Sequence, residues 1–78
     1  MDLRSTFAAN LRRLRAVKGW SQEELAFEAG VNRSYLARVE AARANGPYVG
    51  LEVIGKLAEA LEVDPAELLK LPSKRTRS

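Results

Sequence analysis

Two helix-start signals lie only eleven residues apart in this chain, at Ser21 and Asn32, and little but a tight helix–helix corner fits between them. Ser21 is followed three residues later by Glu24, the spacing of a reciprocal capping box. Trp20 precedes the cap and Leu25 stands at the fourth helical position, which is a hydrophobic staple and gives the single Trp a structural reading rather than a ligand-stacking one. This helix stops at Ala29-Gly30. Asn32 then caps a further helix that runs to about Glu40, so the turn is only Ala29 to Val31. Such a corner needs small residues where the helices cross, supplied by Ala26 and Ala29. It needs a residue that tolerates positive φ, supplied by Gly30.

Three more helices are expected around the corner. The first runs from about Ser5 to Lys18, with Phe7, Leu11 and Leu14 on one face, the Lys18 stem closing the stripe, and Gly19 ending it. The helix from Asn32 buries Leu36 and Val39, carries Val31 and Tyr35 at its flank, and shows Arg33, Ser34, Ala37 and Arg38 on its other side. Asn45-Gly46-Pro47 reads as a loop. A fourth helix starts near Gly50 and sets Leu51, Ile54, Leu57, Ala58 and Leu61 on one face. Asp64-Pro65-Ala66-Glu67 opens a short fifth helix, with Asp as cap, Pro at the first position and Glu at the third, ending before Pro72. No strand, internal repeat or coiled-coil heptad is visible. The expected fold is all-α: a compact five-helix domain over residues 1–71 with a central helix-turn-helix, followed by a basic, disordered tail over 72–78.

Composition removes whole classes of function. The chain has 78 residues, room for one core only. It has no Cys and no His, so disulfides, thiolate metal sites, zinc enzymes and Ser-His or Cys-His hydrolases are excluded. Chemistry would have to rest on Glu23, Glu24 and Glu28, which share one exposed helix with no cleft around them, and the expectation is a non-enzyme with no cofactor and no small-molecule ligand. No run approaches the ~20 apolar residues of a membrane span, and Met1 to Asn10 does not read as a secretory signal. A cytoplasmic protein with no membrane partner is expected.

Charge is unevenly placed. Residues 1–43 carry eight Lys/Arg against five Asp/Glu, residues 44–71 carry two against five, and the tail adds Lys74, Arg75 and Arg77. A basic front half suits either a polyanion or a solvated face. The corner favours the polyanion: its first helix can brace on a sugar-phosphate backbone while its second lays its N-terminal end, with Asn32, Arg33 and Ser34, in a major groove.

The run Ser21-Gln22-Glu23-Glu24-Leu25-Ala26, then Ala29-Gly30-Val31, Ser34-Tyr35-Leu36 and Val39-Glu40, resembles the phage-repressor and Cro-type (XRE) helix-turn-helix family. The resemblance spans about Phe7 to Leu69. Asn32-Arg33-Ser34-Tyr35 is most similar to the controller proteins of restriction-modification systems. Gly50, where helix four often has a polar cap, and Asn45-Gly46-Pro47-Tyr48 depart from the common pattern.

The resemblance implies a lambda-repressor-like fold that binds double-stranded DNA and regulates transcription. It places Gln22 at a phosphate or base at the half-site edge, and Arg33, Ser34 and Arg38 at base-reading positions, where an Arg can pair bidentately with guanine. Asn32 and Tyr35 become phosphate contacts, with core-edge packing the alternative for Tyr35. Arg43 and Asn45 become backbone clamps. Arg15 matches the position that pairs with the acid ending helix three, here Glu40, as a structural ion pair. Arg12, Arg13 and Lys18 fit either long-range phosphate attraction or plain solubilisation.

Size and family together imply a homodimer reading a palindrome. Val53 on the outer edge of helix four, with Leu69 and Leu71, is the expected interface, while Leu68 is better placed in the monomer core. The alternative is a protein-interaction module on the same fold, such as an antitoxin.

Overall fold

The computed structural model describes residues 2–42 and 47–71, and Arg43, Asn45 and the tail 72–78 lie outside the described residues. Five helices and no strands make up the described residues: α1 (Leu3–Lys18), α2 (Gln22–Ala29), α3 (Arg33–Glu40), α4 (Leu51–Leu61) and α5 (Ala66–Leu69). The all-α expectation stands.

Most boundaries follow local chemistry. α1 begins two residues before the expected Ser5, because Asp2 caps it: its carboxylate accepts from Arg4 N at 3.3 Å and from the Ser5 hydroxyl at 2.7 Å. The hydrogen bond from Ser5 is the main cause holding the Asp2 carboxyl below the usual carboxylate range. At the other end Gly19 is left-handed (φ 75°), and Trp20 N returns to the Arg15 carbonyl at 3.2 Å, closing the helix. Both arms of the Ser21/Glu24 box form, at 3.0 and 2.7 Å. Asn32 Oδ1 accepts from Tyr35 N at 2.9 Å and starts α3. α5 is shorter than expected: Pro65 flanks it, and the Asp64 carboxylate accepts from Ala66 N at 2.8 Å.

The core joins Phe7, Leu11 and Leu14 of α1 to Leu25, Ala26 and Ala29 of α2, Leu36 and Val39 of α3, Ile54, Leu57, Ala58 and Leu61 of α4, and Leu68 of α5. α1 lies against α3, α4 and α5; α2 lies against α3 and α4. Ala26 and Ala29 are buried, and their small side chains let α2 approach its neighbours. Trp20 is half-buried against the same core.

One helix-face expectation fails. Leu51 has the spacing of the apolar stripe of α4 but is 84% exposed. It is the first residue of that helix, and burial begins one turn later, at Ile54. Periodicity says which residues share a face but not how far along the helix its neighbours reach.

One buried polar residue holds the two ends of the fold together. Asn10 Nδ2 donates to the carbonyls of Leu68 (2.9 Å) and Lys70 (2.8 Å). Those are orphan acceptors at the end of a single-turn helix, and α1 supplies the donor that the helix itself cannot.

Candidate nucleic-acid interface

α3 presents two unlike faces. Leu36, Val39 and Glu40 are buried, while Arg33, Ser34 and Arg38 are exposed, as the 3.6-residue period requires. The helix starts free of any acidic residue in its first turn. Its N-terminal N–H groups therefore add partial positive charge next to Arg33. Arg38 Cζ lies 5.9 Å from the Tyr35 ring centroid, within cation–π range, which draws the guanidinium along the helix surface.

Tyr35 itself is half-buried at the core edge, and its hydroxyl donates to the Tyr48 carbonyl at 3.2 Å. It thereby ties α3 to the segment leading into α4. Tyr48 in turn lies under the Arg4 guanidinium, 4.4 Å from the ring centroid.

The corner is fixed at both ends. Gly30 is left-handed (φ 69°), and Val31 N reaches back to the Ala26 carbonyl at 3.0 Å. A Cβ at Gly30 would meet nothing within 4 Å, so the glycine is there for its backbone angle and not for space. At the far end of α3, the buried Glu40 carboxylate accepts from Arg15 Nε (2.8 Å), Arg15 Nη2 (2.9 Å) and Gln22 Nε2 (3.0 Å). The Arg15 guanidinium also donates from Nη1 to the Trp20 carbonyl at 2.9 Å, so one side chain joins α1, the α1–α2 turn and α3. The hydrogen bond to Glu40 raises the Arg15 pKa further above its ordinary high value, keeping the guanidinium charged.

Residues 6–71 match the family model described as a helix-turn-helix domain. The chain belongs to this helix-turn-helix family. A hypothetical transcription factor of Neisseria meningitidis serogroup B is 45% identical over 76 residues, 97% of this chain and 69% of that protein. Control protein C.BamHI of Bacillus amyloliquefaciens is 38% identical over 69 residues, 87% of this chain and 82% of that one. Among solved structures, the restriction-modification controller protein C.AhdI from Aeromonas hydrophila is 48% identical, with a TM-score of 0.74, covering 83% of this chain and 94% of that one.

In this helix-turn-helix protein, the residues expected as contacts are not equally free. Arg33, Ser34 and Arg38 share the outer face of α3. Asn32 has its side-chain oxygen engaged as the α3 cap, which leaves its amide N–H groups as donors. Gln22 has one amide N–H engaged by Glu40.

Three basic residues on α1 have partners within the fold that the sequence pattern does not assign. Arg12 Nη1 donates to the Glu40 carbonyl and so covers the C-terminal end of α3. Arg13 Nη2 reaches Asn10 Oδ1 at 3.4 Å. Lys18 pairs with Glu62 at 2.9 Å and sits 4.9 Å from the Trp20 ring centroid. Asn10 was missed as well, although a signal existed: it stands among Phe7, Leu11 and Leu14, at helical spacing on their face.

Leu69 (36% exposed) and Leu71 (50% exposed) project outward, and Leu69 lines an open, mainly apolar groove with Leu3, Arg4, Phe7, Tyr48, Val49 and Ile54. Val53, expected with them, is half-buried against the core.

Proposed function

We propose that the protein is a sequence-specific double-stranded DNA-binding transcriptional regulator, acting as a homodimer on palindromic operators with α3 in the major groove. Residues 1–71 are the binding unit, working in the cytoplasm. The observation that carries this reading is the outward face of α3. It sets Arg33, Ser34 and Arg38 together at the exposed helix, in a corner held by the Gly30 turn and the Arg15–Glu40 pair. The relatives named as control and controller proteins support it.

In this reading Arg33, Ser34 and Arg38 meet base edges, while Gln22, Asn32, Arg43 and Asn45 hold the sugar-phosphate backbone, joined by Tyr35 where its hydroxyl exchanges the Tyr48 carbonyl for a phosphate. Leu69 and Leu71, with the edge of α4 at Val53, face the second copy, whose matching surface covers the neighbouring groove.

The test is selection of bound duplexes from a random-sequence library at low salt. Palindromic sites with half-sites about one helical turn apart, ~34–36 Å, or a multiple of it, are the expected outcome. Retardation of no duplex at low salt points instead to a protein-interaction module on the same fold.

A further inference from the structure

We propose that Glu40 is a positioning residue for Gln22, fixing the orientation of its amide at the start of α2 before DNA arrives. This rests on the DNA-binding reading above. Three donors converge on the Glu40 carboxylate, and they are not equivalent. The two bonds from Arg15, at 2.8 and 2.9 Å, already make a complete bidentate pair. The third, from Gln22 Nε2 to Oε1 at 3.0 Å, is surplus to that pair. Its consequence falls on Gln22.

A carboxylate held by an arginine only accepts hydrogen bonds, so the Gln22 amide must turn its nitrogen toward it. The flipped amide would set two oxygens against each other at the same distance. The bond therefore selects one of two amide orientations and leaves the carbonyl oxygen and the second N–H for a partner. A free glutamine side chain samples many rotamers and loses that freedom when it binds. Here the loss falls at folding and not at association, which is preorganisation. The backbone at this point is held too, because Gln22 follows Ser21, whose capping box with Glu24 is complete. Gln22 is half-buried, so its remaining groups are still reachable from the surface.

Arg15 thus acts through Glu40 on Gln22, a chain that runs from α1 through the end of α3 to the start of α2. The corner-setting ion pair and one contact residue share a single carboxylate.

Gln22 is the only glutamine in the chain, so glutamine-selective 15N labelling gives its side-chain amide as a unique signal, clear of the amides of Asn10, Asn32 and Asn45. In the DNA-free wild type, side-chain relaxation should give an order parameter near the rigid value of about 0.85. A value below about 0.6 overturns the proposal without touching the DNA-binding reading. The second arm is a binding cycle on a selected duplex, with each variant first shown to be folded at the assay temperature. Gln22→Ala should weaken binding about three- to tenfold, and Glu40→Gln by a similar factor. The double variant should be no weaker than the weaker single, since both remove the same contact. Additive losses overturn the positioning role. If Glu40→Gln does not fold, the wild-type order parameter decides alone. If the wild type binds no duplex, the DNA-binding reading fails and the positioning role falls with it.

Discussion

Arg15 and Glu40 stand 25 residues apart in the chain and meet as fork and carboxylate, Nε to Oε2 at 2.8 Å and Nη2 to Oε1 at 2.9 Å. The pair is asymmetric: the glutamate side chain is 1% exposed and the arginine 21%. Losing the arginine therefore strands a buried negative charge, whereas losing the glutamate leaves a cation that can still reach water. Arg15→Ala should cost about 3 kcal/mol in urea unfolding, at the lower end expected for breaking a buried pair. The double variant Arg15→Ala/Glu40→Ala should be less destabilised than the sum of the singles. Additive costs would mean that the two do not pair in solution.

Asn10 is expected to control α5. Asn10→Ala removes the donor to both the Leu68 and Lys70 carbonyls and should cost about 1–3 kcal/mol. Asn10→Asp should be at least as costly near neutral pH, because it sets an acceptor against two acceptors. Hydrogen exchange of the backbone amides in residues 66–71 should accelerate more than that of α2 in both variants.

Gly30→Ala should destabilise by about 1–2 kcal/mol, the cost of a left-handed alanine, with no added steric term, since nothing lies within 4 Å of the new Cβ. Gly30→Asn should cost less, because Asn tolerates that region better. Thermal melts of the two variants give the order directly, and an equal loss would argue that the backbone angle is not what fixes the turn.

The Lys18 hydrogen bond is the main cause lowering the Glu62 carboxyl pKa below its ordinary value of 4.5. A carboxyl lowered in the folded state binds fewer protons there than in the unfolded chain. Its contribution is present above the ordinary value and is lost as pH falls through the lowered one. Stability should therefore drop on acidification below about pH 4.5, and Glu62→Gln should flatten part of that drop. Asp2, lowered by Ser5, acts in the same direction at a lower pH, so some slope should survive the substitution.

Arg33→Ala and Arg38→Ala separate reading from holding. At least one should cost about 1–3 kcal/mol on the selected duplex and relax choice at one guanine position. Gln22→Ala should weaken all sequences about equally and leave the salt dependence unchanged, because a neutral amide neutralises no phosphate. A sequence logo unchanged by both arginine variants would sink the assignment of α3 as the reading helix while leaving the fold intact.

The corner was legible in the sequence because its determinants are local. A capping box reaches three residues, a staple reaches five, and a left-handed glycine acts on its own turn. That is why Ser21, Gly30 and Asn32 could be placed without a tertiary structure, and why Arg33, Ser34 and Arg38 could be set opposite Leu36 and Val39. The Arg15–Glu40 partnership was legible only through family resemblance, since nothing in the local pattern links residues that far apart. What the tertiary structure alone decided is where long polar side chains end. Asn10 crosses 58 residues to the Leu68 carbonyl, Arg12 crosses 28 to the Glu40 carbonyl, and Gln22 crosses 18 to the Glu40 carboxylate. Leu51, apolar and correctly spaced, faces solvent because it opens α4 ahead of the residues that the core covers, Val53 in part and Ile54 fully. Helix periodicity fixes the direction in which a side chain leaves its own axis, but its partner is set by how neighbouring helices cross, and that is a property of the packed core.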